Sequence, residues 1–159
     1  MYRLTARRKS QTGAAAIEAA LMFVIFFTLF YAIVSYSLPL LLVQAFNHAA
    51  ASGARSAVAV EPDAFADTDS YIQNGIIPRV REVVGATLGW LPSSASQSVL
   101  GADNGNVQVN FNQATGVLVV TVVYPGYRES PMVPTLSLPG IGDIPKLPGD
   151  LRGTASVTL

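Results

Sequence analysis

The sequence predicts an α+β protein: a long N-terminal helix that crosses a membrane and continues as a stalk, then a small head with one amphipathic helix and a short antiparallel sheet of about three strands. Three observations predict it. No charged residue occurs from Ala19 to Val43. Apolar residues recur at threes and fours between Ile72 and Leu88, the spacing of one buried helical stripe. Near the C-terminus "VQVNF" and "GVLVVTVVY" flank the turn sequence "NQATG", and the chain closes on the alternating stretch "GTASVTL".

The uncharged run comprises 25 residues (43 − 19 + 1), which at a helical rise of about 1.5 Å each cover roughly 37 Å, more than a hydrocarbon core of about 30 Å. A buried core helix rarely stays uncharged for so long and usually carries a polar face. Arg3, Arg7, Arg8 and Lys9 precede the run, whereas Arg55 alone is basic between its end and Val60. The positive-inside bias therefore places the N-terminus in the cytoplasm and the chain after about residue 46 across the membrane. The stretch is too long for an ordinary removable signal, although "HAAASGA" after it mimics a cleavage site.

Beyond the span, "VQAFNHAAASGARSAVAV" is rich in alanine, the best helix former, and extends the helix to about Val60. Pro39 lies inside and predicts a kink rather than a break. The expected organisation is a basic leader over 1–13, a membrane and stalk helix over 14–60, and a head over 61–159. "EPDAFADTDS" reads as a loop with Asp69 or Ser70 as the cap of the next helix. In that helix Ile72, Ile76, Ile77, Val80, Val83, Val84 and Leu88 form the stripe, Gly75 and Pro78 weaken the first turns, and Pro78 to Leu88 is the firm core. "PSSASQSVLGADNGN" reads as a polar linker. Of the two hairpin strands the second is the more apolar and is expected at the centre of the sheet. Six of the ten prolines fall between Tyr124 and Arg152, so the segment 125–150 reads as an extended excursion rather than a packed element.

Half of the residues are apolar and 13% are charged, too few charges for an ordinary soluble domain. Four of the ten basic residues precede Gly13 and leave six against ten acidic ones in a mildly acidic remainder, which does not suit nucleic-acid binding. The absence of cysteine excludes disulfides, thiolate metal sites and cysteine nucleophiles. His48, the sole histidine, stands in an alanine-rich stretch with no carboxylate cluster nearby in sequence. Asp63, Asp67 and Asp69 lack the spacing and glycine of a calcium loop and read as a solvated turn. Trp90 is expected in the core of the head. No phosphate loop, serine triad or paired acid is present, so no catalytic residue, metal, cofactor or small-molecule substrate is expected, and the chain does not read as an enzyme.

One charge is left to explain. In "RRKSQTGAAAIEAALMFVIFF" the acid Glu18 stands five residues after Gly13, at the entry to the apolar helix. A carboxylate entering a bilayer is costly unless it finds a partner. The junction resembles the processing site of bacterial type IV pilins, in which a membrane-bound prepilin peptidase cuts after the glycine on the cytoplasmic side. Carried over, the cut falls between Gly13 and Ala14 and removes the leader with Arg7, Arg8 and Lys9. The new ammonium would then sit on Ala14, four residues from Glu18 and on the same helix face, where the macrodipole also favours a negative charge. In such assemblies the acid is proposed to pair with the N-terminal ammonium of a neighbouring subunit, which makes Glu18 a register pin.

The wider run, with Arg8, Gly13, Ala16, Glu18, Ala20 and Leu21 followed by Ala50, Ala54, Arg55 and Ala57, resembles the TadE-like family of minor pilins or pseudopilins in tight-adherence (Flp) pilus systems. The resemblance covers roughly the first 60 residues. It implies a structural protein of the bacterial inner membrane with a periplasmic head. Its implied partners are membrane lipid, a prepilin peptidase, other pilin subunits and the proteins of the assembly platform. Ala15, Ala16, Ala19 and Ala20 would allow close helix approach, and Phe23 and Phe27, with Phe26, Phe30, Tyr31 and Tyr36, would add an aromatic stripe. The major Flp pilin is very short and usually has an aromatic after the acid. Here Ala19 follows Glu18 and a head of about 100 residues is attached, which at that size makes a domain and favours a minor component. The competing readings are an unprocessed single-pass anchor and a secreted domain cut near Gly53.

Overall fold

The computed structural model describes residues 12–138 and 142–159. The expected α+β architecture is present, and its axis is helix α1, Thr12–Ala57, which runs for 46 residues through Pro39 without interruption. Leu38, Leu40, Leu41 and Leu42, strong helix formers on either side of Pro39, carry the helix past the one missing backbone donor. The helix ends three residues before the expected Val60 (60 − 57). A short 3-10 turn, Pro62–Ala64, follows.

The next helix starts with a single turn, α2 (Thr68–Ser70), widens into a π-helical segment over Tyr71–Ile76, and continues as α3 (Ile77–Thr87). Its cap is Asp67, not the expected Asp69 or Ser70. Asp67 has extended backbone and its carboxylate accepts from the Ser70 amide at 2.7 Å, while the Ser70 hydroxyl receives the Asp67 amide in return. Asp69 and Ser70 already lie in the first turn. The π segment falls where Pro78 offers no amide to the carbonyl four residues back, so the ladder is reorganised there.

The expected linker after Leu91 instead contains α4, Ser93–Val99. Its serines disguise a short stripe, Ala95 and Val99 at i and i+4, which is buried together with Leu100 against the sheet. The sheet has the order β1–β2–β5, all antiparallel, with β1 at Gln108–Asn112, β2 at Val117–Tyr124 and β5 at Leu151–Thr158. The apolar β2 is central, as its composition predicts, and buries Leu118, Val120, Val122 and Tyr124. Its Val120 pairs with Val109 of β1 and Ala155 of β5.

The head closes on one face of α1. Leu42, Phe46, Ala49, Ala50, Ala54 and Ala57 are buried there at helical spacing, against α3 on one side and β5 on the other. The small residues set the distances. A Cβ on Gly53 would stand 2.8 Å from Val84 Cγ2 and 3.1 Å from Val80 Cγ1, and one on Gly153 would stand 2.4 Å from backbone atoms of Phe46 and Asn47. Strand β5 therefore lies directly on the helix backbone, and the Asn47 side chain caps its edge by accepting from the Thr154 amide at 3.0 Å.

The proline-rich segment is packed, contrary to expectation. It carries a second, two-stranded antiparallel sheet, β3 (Leu136–Leu138) with β4 (Gly142–Ile144). Pro131, Pro134, Pro145 and Pro148 stand outside both strands, where a missing donor costs the ladder nothing. Tyr127 and Leu147 anchor the segment in the core, Tyr124 meets Tyr127 edge-on at 5.2 Å between ring centroids, and the Arg128 Nε–H donates to the Leu147 carbonyl at 2.7 Å.

Candidate functional site

The uncovered part of α1 is the feature that the fold itself does not explain. Among the described residues one helix is long and apolar enough to cross a membrane. From Gly13 to Phe30 its side chains are exposed, apart from a half-buried Thr28, and Ile25 at 69% and Phe26 at 66% exposure rule out a core helix within this chain. Thr28 turns its hydroxyl back to the Val24 carbonyl at 2.7 Å, so the one hydroxyl in this stretch is satisfied inside the helix. Burial begins at Ser35 and Pro39 on the head-facing side, while Leu40 and Leu41 on the opposite side stay exposed.

The leader residues Arg7, Arg8 and Lys9 lie outside the described residues. Gly13 occupies the first turn of α1, and a Cβ there would have no neighbour within 4 Å. Ala14, Ala15, Ala16, Ala19 and Ala20 are exposed. Glu18 is exposed too, and among the described residues no side chain pairs with it. At about 100° per residue, Ala14, Met22, Ile25 and Leu29 share the face of Glu18, while Ala16, Ala20, Phe23 and Phe27 lie roughly opposite.

The six aromatics do not form a single stripe. Phe23, Phe27 and Tyr31 stack in succession at 6.0 and 6.3 Å along one row, and Phe26 and Phe30 stack at 6.3 Å in another. The last two tyrosines are engaged by the head. The Tyr31 hydroxyl donates to the Pro134 carbonyl, and the Tyr36 hydroxyl accepts from the Lys146 amide at 2.9 Å. Sequence reasoning missed these two contacts because they join residues more than 100 positions apart, and the tyrosines themselves were the one available signal.

The stalk pattern has a local explanation. Ala50, Ala54 and Ala57 are buried under the head, and Arg55 alone of that set faces solvent, in the last turn of α1 where a cation suits the helix dipole. Trp90 does not join the core: it is 53% exposed on the turn between α3 and α4, where Leu88 and Leu91 on either side take the buried positions. His48 is exposed on the outer side of α1.

A family model described as TadE-like protein matches residues 13–55. The similarity is confined to that segment, 43 of the 159 residues (55 − 13 + 1). It coincides with α1 almost end to end, from the residue after Thr12 to two residues before Ala57. No curated protein and no solved structure matches the chain. The matched family is a structural, pilus-associated one, and the match falls on the one helix among the described residues that is long and apolar enough to cross a membrane.

Proposed function

We propose that the chain is a minor pilin or pseudopilin of a tight-adherence pilus and secretion machine. A prepilin peptidase removes the leader after Gly13, and the mature chain of 146 residues (159 − 13) begins at Ala14. The N-terminus faces the cytoplasm and the head stands on the periplasmic side of the inner membrane. Subunits leave the membrane by exchanging lipid for the helices of other pilin subunits, guided by the assembly platform. No metal or cofactor takes part.

One observation carries this reading. Among the described residues, the TadE-like helix presents an apolar surface that nothing covers, with a carboxylate in its second turn that pairs with no side chain. Apolar surface of that extent marks a membrane or partner contact. A carboxylate at its entry needs a cation at that depth, and a neighbouring subunit's Ala14 ammonium supplies one. The opposite placement of Glu18 and the Ala16, Ala20, Phe23, Phe27 row lets one subunit engage neighbours on two sides at once, one through charge and one through close packing.

The test is Glu18→Ala in the native host, read by membrane insertion, processing and surface pilus output. The variant is expected to insert and to be cleaved, and to assemble poorly. Undiminished pilus output would sink the role assigned to Glu18.

A further inference from the structure

We infer that the proline-rich segment is a membrane-interface collar, whose tip at Pro131–Thr135 enters the headgroup and upper acyl region of the bilayer that α1 crosses. The inference rests on the reading of α1 as a membrane span and goes beyond it.

The position of Tyr31 fixes the depth. A hydrocarbon core takes about 20 helical residues. If it begins at the first residue after the glycine, Ala14, it ends near Ile33; if Glu18 stays among the headgroups and it begins at Ala19, it ends near Leu38. Tyr31 lies on the membrane side of both limits, and its hydroxyl holds the Pro134 carbonyl. Tyr36, five residues further from the N-terminus, holds Lys146 at the base of the segment. Tyr31 stands two to seven residues inside these limits (33 − 31 and 38 − 31), roughly 3–10 Å along the helix axis, which overlaps the 5–10 Å that interfacial segments sink below the surface.

Ser130 to Leu138 contains no charged residue, and Met132 is 39% exposed although it is large and apolar. Arg128 and Lys146 line one cavity with Thr135 and Asp143, and the Asp143 carboxylate accepts from the Ser137 hydroxyl. The two cations outnumber that acid and reach headgroup phosphates while their stems run along apolar surface. A non-helical segment entering a bilayer must satisfy its backbone polar groups. Pro131 and Pro134 bring no amide to satisfy, and Tyr31 takes the Pro134 carbonyl. Tyrosine is also the residue type that favours this boundary, with its ring in the apolar zone and its hydroxyl in the polar one.

Trp90 is the sole tryptophan, so a Trp90→Phe background leaves any new tryptophan as the single reporter. The full chain carrying Trp90→Phe with Met132→Trp, and separately with Thr135→Trp, is reconstituted in phosphatidylethanolamine and phosphatidylglycerol vesicles. The lipids are brominated either near the carbonyls or near the chain ends. Both reporters are expected to emit further to the blue than Trp90 in the native chain, and to lose more emission to the shallow bromines than to the deep ones. A Phe23→Trp reporter in the same background reads the span itself and is expected to be quenched by deep bromines. Quenching at Phe23→Trp with none at Met132→Trp and Thr135→Trp overturns the collar alone. No quenching at Phe23→Trp overturns the membrane span and the collar with it.

Discussion

Gly153→Ala is the most direct test of how the head is held on the helix. The added Cβ would lie 2.4 Å from the backbone of Phe46 and Asn47 and 2.6 Å from Phe46 Cβ, against 3.4 Å for ordinary contact. Strand and helix must therefore part by about 1 Å (3.4 − 2.4), and neither backbone can yield locally without breaking its own ladder. That shift stretches the 3.0 Å bond from the Thr154 amide to Asn47 Oδ1 beyond useful length. Overpacking costs about 1–3 kcal/mol and the lost bond about 1 kcal/mol, offset by about 0.4–1 kcal/mol from the stiffer unfolded chain, which leaves about 2 kcal/mol of destabilisation. For a head of this size the unfolding midpoint should fall by about 8–16 °C. The assay is thermal unfolding of the full chain in detergent micelles, followed by near-ultraviolet circular dichroism of the buried Tyr124 and Tyr127. Gly149→Ala, where a Cβ would meet nothing within 4 Å, is the matched control and should raise the midpoint by about 2–8 °C through the same stiffening of the unfolded chain. A Gly153→Ala midpoint within about 2 °C of the parent would refute the close approach of β5 to α1.

Asp67 gives a pH prediction. The Ser70 amide, then the Ser70 hydroxyl, hold its carboxylate below the ordinary value of 3.8, so the cap stabilises the folded state fully above that value and loses its contribution as pH falls through the lower folded value. The midpoint difference between the parent and Asp67→Ala should accordingly stay constant at neutral and mildly acidic pH and shrink below pH 3.8; a difference that grows on acidification would reverse the assignment. Trp90→Ala should shift the midpoint by less than about 4 °C, since an exposed side chain has little packing to lose, and iodide should quench Trp90 in micelles freely. A core-like loss of stability would contradict its position on the α3–α4 turn.

The long-range layout was legible because it follows from local pattern. The charge-free run and the alanine-rich stalk dictate α1, the stripe from Ile72 to Leu88 dictates the second helix, and the apolar excess of β2 dictates its central place. What escaped depends on contacts between distant residues. Serines concealed the Ala95 and Val99 stripe of α4, and the choice of Asp67 over Asp69 as cap turned on one residue of extended backbone. The prolines announced an irregular segment, but nothing local said that Tyr127 and Leu147 would pin it to the core or that Tyr31 and Tyr36 would draw it along the helix. Trp90 was misplaced because size and hydrophobicity alone do not decide burial at a turn, where Leu88 and Leu91 took the inner positions. For the candidate site, Glu18 stood out in sequence because a lone carboxylate in an apolar helix is costly, and Gly13 and Ala14 stood out through the resemblance of that junction to a prepilin processing site. The division of that helix into a Glu18 face and an aromatic face becomes visible once the residues are placed around it.

The central claim is that this helix is processed and then handed from membrane to filament. It is tested most directly by the N-terminal sequence and intact mass of the protein recovered from its native membranes, with and without the prepilin peptidase. The account predicts a chain that starts at Ala14 when the peptidase is present and keeps its leader when it is absent. A leader retained in both cases would contradict it and leave a plain membrane anchor, with Glu18 again without a partner.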